Sequence, residues 1–113
     1  MKLKDNVALI TGAGQGIGEA IAIAFAKEGC NVAVNDLNAD NAKDVSEKIK
    51  AMGMDSLYIP GDVSKKEFVD KMVRMVTKRF KRINILVNNA GIIRDRTLKN
   101  MSDEINLSCG IFT

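Results

Sequence analysis

Four glycines stand in the octet Thr11-Gly12-Ala13-Gly14-Gln15-Gly16-Ile17-Gly18, between the apolar run Val7-Ala8-Leu9-Ile10 and the segment Glu19-Ala20-Ile21-Ala22-Ile23-Ala24-Phe25. A glycine turn leading from a strand into a helix binds phosphate for two reasons. Glycine lets the backbone take positive φ and come close to a ligand, and the helix N-terminus presents unpaired N–H groups with a partial positive charge. A pyrophosphate is the natural guest. The spacing is not the literal G-x-G-x-x-G, because Ile17 and Glu19 fall out of step, and it reads T-G-x-x-x-G-x-G instead. Further along, Asp36 ends a second apolar run at the distance from the glycines where a carboxylate accepts hydrogen bonds from both hydroxyls of an adenosine ribose. A 2′-phosphate there would meet a like charge, with a repulsion of about 4 kcal/mol at ~4 Å and an effective dielectric of ~20. NAD is therefore favoured over NADP. The competing reading of Asp36 is a helix-capping or turn aspartate in Asp36-Leu37-Asn38-Ala39-Asp40.

The elements that must carry these residues alternate. Strands are predicted over Val7 to Thr11, Asn31 to Asn35, Ser56 to Pro60 and Ile83 to Val87, with helical patterns between them, which implies a parallel sheet with crossover helices. Ile17, Ile21 and Phe25 with Ala20 and Ala24 make the first helix's stripe, and Ala42, Val45, Ile49 and Met52 the second, both facing the sheet. The third helix opens at Ser64-Lys65-Lys66-Glu67, which has capping-box spacing, and buries Phe68, Val69, Met72, Val73, Met75, Val76 and Phe80. Gly29 and Gly53 stand where glycines stop the first two helices, and Pro60 ends its strand or marks a sheet edge. Right-handed crossovers then give an α/β, doubly wound parallel sheet, the first half of a Rossmann fold with strand order 3-2-1-4. Residues 1–113 are expected to form one dinucleotide-binding domain, incomplete at its C-terminus.

Composition narrows the partners. The 113 residues carry a net charge of +3, concentrated between Lys65 and Arg82 on an amphipathic helix, which reads as a solvated face. With no Trp and one Tyr the chain lacks the interleaved aromatics of a nucleic-acid surface. No segment has the length of a membrane span or the pattern of a signal peptide, so a cytoplasmic protein with a small-molecule substrate is expected. Cys30 and Cys109 are read as reduced thiols without metal-ligand partners, and the Asn-x-Ser sequons at Asn100 and Asn106 carry no weight in that compartment.

With two further stretches the chain resembles the short-chain dehydrogenase/reductase family over essentially its whole length. Gly61-Asp62-Val63-Ser64 matches the family's adenine-pocket Asp-Val pair, which implies that the Asp62 carboxylate accepts from the adenine amino group. Asn88-Asn89-Ala90-Gly91 matches the N-N-A-G motif, where amide side chains tie strand ends together and small residues let the backbone approach the cofactor riboses. The resemblance implies cofactor contacts at Gly12, Gln15, Gly16, Ile17, Gly18, Asp36, Asp62, Val63, Asn89, Ala90 and Gly91, and no metal. Members preferring NADP commonly carry a cation where this chain has Gln15 or Leu37, so the resemblance too favours NAD. Gly91-Ile92-Ile93-Arg94-Asp95-Arg96-Thr97-Leu98 looks like the 3-oxoacyl-acyl-carrier-protein reductase branch, which is usually NADPH-dependent. The implied activity is hydride transfer between nicotinamide and a carbonyl or secondary alcohol, in a homo-oligomer at full length.

The resemblance breaks at the chemistry. The family's Tyr-x-x-x-Lys has no counterpart, since the one tyrosine, Tyr58, is a strand residue followed four positions later by Asp62, and the family's substrate-binding Ser is missing. The remaining catalytic candidate is Asn106, in Asn106-Leu107-Ser108-Cys109-Gly110-Ile111-Phe112, which resembles a helical N-L-x-G-x-F stretch with one residue extra. Only Ile105 separates it from Met101-Ser102-Asp103-Glu104, where the family has about two helical turns, a shortfall that would displace Asn106 by ~10 Å. Two readings stay open: an NAD(H)-dependent oxidoreductase represented by its cofactor-binding half, and a nucleotide-binding or assembly module without turnover. In both, the fourth strand is expected to leave its outer edge unpaired.

Overall fold

The computed structural model describes residues 4–90 and the backbone of a last strand, residues 110–112. The elements are β1 (Val7–Thr11), α1 (Gly16–Lys27), β2 (Asn31–Asp36), α2 (Ala39–Ala51), β3 (Ser56–Pro60), α3 (Lys66–Phe80), β4 (Ile85–Asn88) and β5 (Gly110–Phe112). All strand pairs are parallel, in the order β3-β2-β1-β4-β5. The expected order 3-2-1-4 is present, and a fifth strand is added to it.

Alternation along the strands explains the three layers. In β1, Ala8 and Ile10 face α1 and α2, in a cluster with Val32, Val34, Ile85 and Val87. Val7 and Leu9 face the opposite side, where Val69, Met72, Val73 and Val76 of α3 pack with Ala33 and Leu86. A strand buried on both faces is apolar at successive positions, as β1 is throughout.

Four expectations need correction. The buried face of α1 is Gly18, Ala22 and Ala26, whereas Ile17, Ala20 and Ala24 are exposed and Ile21 and Phe25 only half-buried. Small residues at i, i+4 and i+8 let the helix axis come close to the sheet, and that close approach outweighs the placement of the larger side chains. Helix α3 starts at Lys66 with Lys65 as its uncapped N-cap, so the Ser64 capping box does not form. The Asp62 carboxylate takes the Ser64 N–H at 2.9 Å in an Asx turn, which draws Ser64 out of the capping position. Met75 and Met52, read as buried, are each 37% exposed. Finally, Gly110–Phe112 is a strand, not part of a helix, and pairs in parallel with Ile85, Leu86 and Val87, so the β4 edge is covered. Gly disfavours helix while Ile and Phe favour strand, and the unpaired N–H and C=O groups of β4 supply the template.

Residues 83 and 84, read as the start of β4, lead into it instead. Buried Asn84 accepts the Val7 N–H at 2.7 Å on its side-chain oxygen, and its own N–H donates to the Val7 carbonyl. Gly29 and Gly53 end α1 and α2 at φ 97° and 93°, as expected. Helix α3 ends the same way on a lysine, Lys81, at φ 77°. For a side-chain-bearing residue this conformation costs about 1–2 kcal/mol, and the exposed Lys81 side chain makes no ion pair among the described residues to offset it. Lys81→Gly is therefore expected to raise stability by about 0.5–1 kcal/mol after glycine's larger unfolded-state entropy is subtracted. A higher urea midpoint at unchanged slope is the result that checks it.

Candidate nucleotide-binding site

Strand order reverses between β1 and β4, and the crevice outside the carboxyl ends of the strands at such a point is where open α/β sheets bind ligands. The glycine octet lies in that crevice. Gly12 and Gly16 sit at φ 61° and 60°, a conformation that a residue with Cβ adopts only under strain. Gly18 is required for a different reason: a Cβ there would stand 2.1 Å from the Gly12 carbonyl oxygen and 2.7 Å from the Asn89 amide nitrogen. Around Gly16 a Cβ would meet nothing within 4 Å, so the space above the start of α1 is open.

The two helices entering this crevice begin differently. At α2 the Asn38 side chain accepts the Asn41 N–H at 3.0 Å and caps the helix. At α1 the N-cap is Gln15, extended and with no side-chain cap, so the first-turn N–H groups face open space beside the glycines. An uncapped helix start with small, positive-φ residues before it fits the diphosphate of a dinucleotide.

Asp36, at the end of β2, accepts the Gly14 N–H at 2.9 Å on one carboxylate oxygen and the Asn38 N–H at 3.0 Å on the other. The second bond is the turn-aspartate geometry and the first ties the carboxylate to the glycine loop. Each oxygen keeps a further lone pair, and both are held at one orientation. Gly14 permits this contact, since a Cβ on it would lie 2.8 Å from the Asp36 carboxyl carbon. Beside Asp36 a cleft of about 110 Å³ is walled by Gly12, Asn35, Leu37, Gly61, Val63 and Ala90. Leu37 is 72% exposed, a large apolar side chain left on the rim of that cleft.

Asp62 is near this cleft in sequence, but its carboxylate is engaged within its own turn. The Ser64 hydroxyl, and then the Ser64 N–H, hold it below the usual carboxylate range, so it is ionised at neutral pH and acts as an acceptor. Val63 is buried against the α3 layer. Asn89 donates its amide N–H to the Gly12 carbonyl at 3.0 Å, tying the loop after β4 to the glycine turn. The Ala90 N–H donates to the Thr11 hydroxyl at 3.2 Å, and that hydroxyl lies 3.1 Å from the Asn88 side-chain oxygen. Gly12, Gln15, Gly16, Ile17, Gly18, Asp36, Asp62, Val63, Asn89 and Ala90 thus all fall at the carboxyl-end rim or in the loops that follow it, and Ile17 is 75% exposed there. Gly91, Asn106 and Cys109 lie outside the described residues.

Three contributors were not read from the sequence as site residues. Buried Asn35 donates to the Ile59 carbonyl at 2.9 Å and the Gly61 carbonyl at 3.3 Å, holding the β3 end against β2. Its signal was an amide inside an otherwise apolar strand. Thr11 and Asn88 brace the other side, and an amide or hydroxyl ending a buried strand is again the cue. Tyr58 lies within β3, paired in register with Val34 and half-exposed. Among the described residues no cluster of ligating side chains could hold a metal.

The family model described as short chain dehydrogenase matches residues 6–108. The chain belongs to the short-chain dehydrogenase family. Among relatives of the family, a 3-oxoacyl-acyl-carrier-protein reductase of Staphylococcus epidermidis is 45% identical over 101 residues, covering 88% of this chain and 41% of that protein. An uncharacterized oxidoreductase of Thermotoga maritima is 41% identical over 104 residues, covering 92% of the chain and 41% of the relative. A solved short-chain dehydrogenase, 7α-hydroxysteroid dehydrogenase complexed with NADH and 7-oxo glycochenodeoxycholic acid, superposes with a TM-score of 0.80 at 27% identity, over 92% of this chain and 48% of that one. The chain therefore spans less than half the length of these family members. No helix among the described residues is long and apolar enough to cross a membrane.

Proposed function

We propose that the chain is the NAD(H)-binding half of a short-chain oxidoreductase that transfers hydride between nicotinamide and a carbonyl or secondary alcohol. The observation that carries the reading is the uncapped start of α1 behind the glycine turn, with the Asp36 carboxylate fixed beside it. In this reading the N–H groups from Gly16 to Gly18 take the diphosphate and Asp36 takes the adenosine ribose hydroxyls. The cleft between Leu37, Gly61 and Val63 takes the adenine edge, with Asp62 as the candidate acceptor for its amino group. Asn89 and Ala90 line the path toward nicotinamide, and Gly91 is assigned to the same contacts from its motif alone. The bound cofactor would donate or accept the hydride; the chain's own part is to hold its adenosine and diphosphate end. The relatives' names point to 3-oxoacyl thioesters and oxosteroids as carbonyl classes to test.

A second reading, a nucleotide-binding or assembly module without turnover, is favoured for a polypeptide of these 113 residues by one observation. Tyr58 is in mid-strand, and no other tyrosine is available as a general acid, which is a contribution worth ~10²- to 10⁴-fold. One experiment tests both readings. A purified polypeptide of this length is expected to bind NADH, seen as enhanced and blue-shifted nicotinamide fluorescence, and to show no turnover with ketones, 3-oxoacyl thioesters or secondary alcohols. Absence of NADH binding refutes the cofactor reading, and turnover that survives Tyr58→Phe refutes the inactive-module reading.

A further inference from the structure

Asn35 is an amide, 1% exposed, in a strand whose preceding residues Ala33 and Val34 are fully buried and apolar. Burying an amide is unfavourable unless its groups are hydrogen-bonded, so the position is explained by what the amide holds. The β2–β3 ladder ends at the pair Asp36 and Pro60. The Asn35 side-chain nitrogen reaches past that end, donating to the Ile59 carbonyl at 2.9 Å and to the Gly61 carbonyl at 3.3 Å. Its backbone carbonyl accepts the Ala13 N–H at 2.8 Å, in the glycine turn. One residue thus fastens both sides of the cleft beside Asp36, the glycine turn through its backbone and the end of β3 through its side chain.

We propose that Asn35 is the positioning residue for base discrimination: its side chain orients the peptide leading into Asp62, so that adenine is accepted and a purine with an oxygen in place of the amino group is rejected. The inference rests on the NAD(H) reading above and adds the residue on which the choice of base depends. The Gly61 carbonyl belongs to the peptide bond that enters Asp62, so the bond from Asn35 sets the direction of that plane. On its other side Gly61 is confined by α3, since a Cβ there would lie 2.2 Å from the Phe68 ring. Val63 is buried beyond it. Between these points Asp62 has its carboxylate bonded to the Ser64 N–H and ionised at neutral pH, an acceptor and not a donor. The amino group of adenine donates to such a carboxylate, whereas the 6-oxygen of hypoxanthine brings lone pairs against its charge. Without the Asn35 amide, the Gly61 N–H still reaches the Asp36 carbonyl at 2.9 Å and Ala13 keeps its bond to the Asn35 backbone. The following peptide plane is then free to turn at a glycine, which permits it. The diphosphate and ribose contacts survive that change, and the base contact does not.

The test titrates the whole chain with NADH and with reduced nicotinamide hypoxanthine dinucleotide, which differ at the 6-position of the purine, and follows nicotinamide fluorescence. The unmodified chain is expected to bind NADH about tenfold more tightly, the effect of one hydrogen bond to a charged group. In Asn35→Ala that ratio should fall to within about twofold, chiefly through weaker NADH binding. Thr11→Val is the control for a merely structural brace. It breaks the hydroxyl bonds to Asn88 and Ala90 on the other side of the site and should weaken both dinucleotides alike, leaving the ratio unchanged. Should Asn35→Ala fail to fold by far-UV circular dichroism, Asn35→Ser, which keeps a small polar group, is expected to lower the ratio in the same direction. The proposal alone is overturned if the unmodified chain binds both dinucleotides equally, if the ratio persists in the folded Asn35 variant, or if Thr11→Val lowers it as much. Failure of both dinucleotides to bind the unmodified chain refutes the NAD(H) reading and this inference with it.

Discussion

Gly18→Ala is expected to destabilise the chain by about 1–3 kcal/mol or more and to abolish NADH binding with it. Helix propensity argues the other way, since alanine within a helix is worth up to about 1 kcal/mol over glycine. Sterics decide the sign. The new Cβ would lie 2.1 Å from the Gly12 carbonyl oxygen, a backbone atom held in turn by the Asn89 amide at 3.0 Å. Relief requires α1 to retreat from the end of β1, which loosens Ala22 and Ala26 against the sheet at the same time. Gly16→Ala is the control, because it adds the same methyl where nothing lies within 4 Å. It is expected to cost only the positive-φ strain of about 1 kcal/mol. Its methyl projects into the open space assigned to the diphosphate, so binding should suffer while the fold survives. Urea unfolding with and without NADH measures both effects, and equal stability losses for the two variants would contradict the close-packing role of Gly18.

The division between what was legible in the sequence and what was not follows from where the information resides. Alternating apolar runs, the glycine octet and the stop glycines Gly29 and Gly53 are local signals, and the layers, the order of β1 to β4 and the two helix ends follow from them. The buried side of α1 was misread because periodicity weighs apolar bulk, whereas contact with a sheet at close range selects the smallest residues, Gly18, Ala22 and Ala26. The α3 start was misread because Asp62 and Ser64 compete for the same turn, and the winner is set by geometry that residue types alone do not encode. Strand β5 depends on the unsatisfied edge of β4, more than twenty residues earlier, so the local resemblance to a helix had no access to it. Lys81 ends α3 in a left-handed conformation without the glycine that usually announces one. At the site the motif residues were legible, the strand-tying amides of Asn88 and Asn89 among them, but the braces Asn35 and Thr11 came only with the hydrogen bonds.

Removing the charge of Asp36 is expected to narrow the preference for NAD(H) over NADP(H) by tenfold or more, chiefly by strengthening NADP(H). A dianionic 2′-phosphate beside the carboxylate meets a repulsion of about 4 kcal/mol per charge pair at ~4 Å and an effective dielectric of ~20. The site is only partly buried, so screening lowers that figure, yet even a third of it is about tenfold in affinity. Gln15 and Leu37, the neighbouring side chains, bring no positive charge to offset it. The choice of substitution matters because both carboxylate oxygens already carry backbone bonds, from Gly14 and Asn38. Alanine would free two N–H groups and loosen the glycine loop, mixing a structural loss with the electrostatic gain. Asp36→Asn keeps the shape and one acceptor oxygen while removing the charge, and leaves one of the two backbone N–H groups unpaired where alanine would leave both. NAD(H) should weaken by up to about tenfold, as one charge-assisted hydrogen bond of about 1.5 kcal/mol becomes a neutral one. Competitive titration of both cofactors at two salt concentrations tests the argument. The gap should be widest at low salt in the unmodified chain and nearly salt-independent in the variant. Tighter NADP(H) than NAD(H) binding by the unmodified chain would show that another group neutralises the phosphate and that Asp36 does not set the choice.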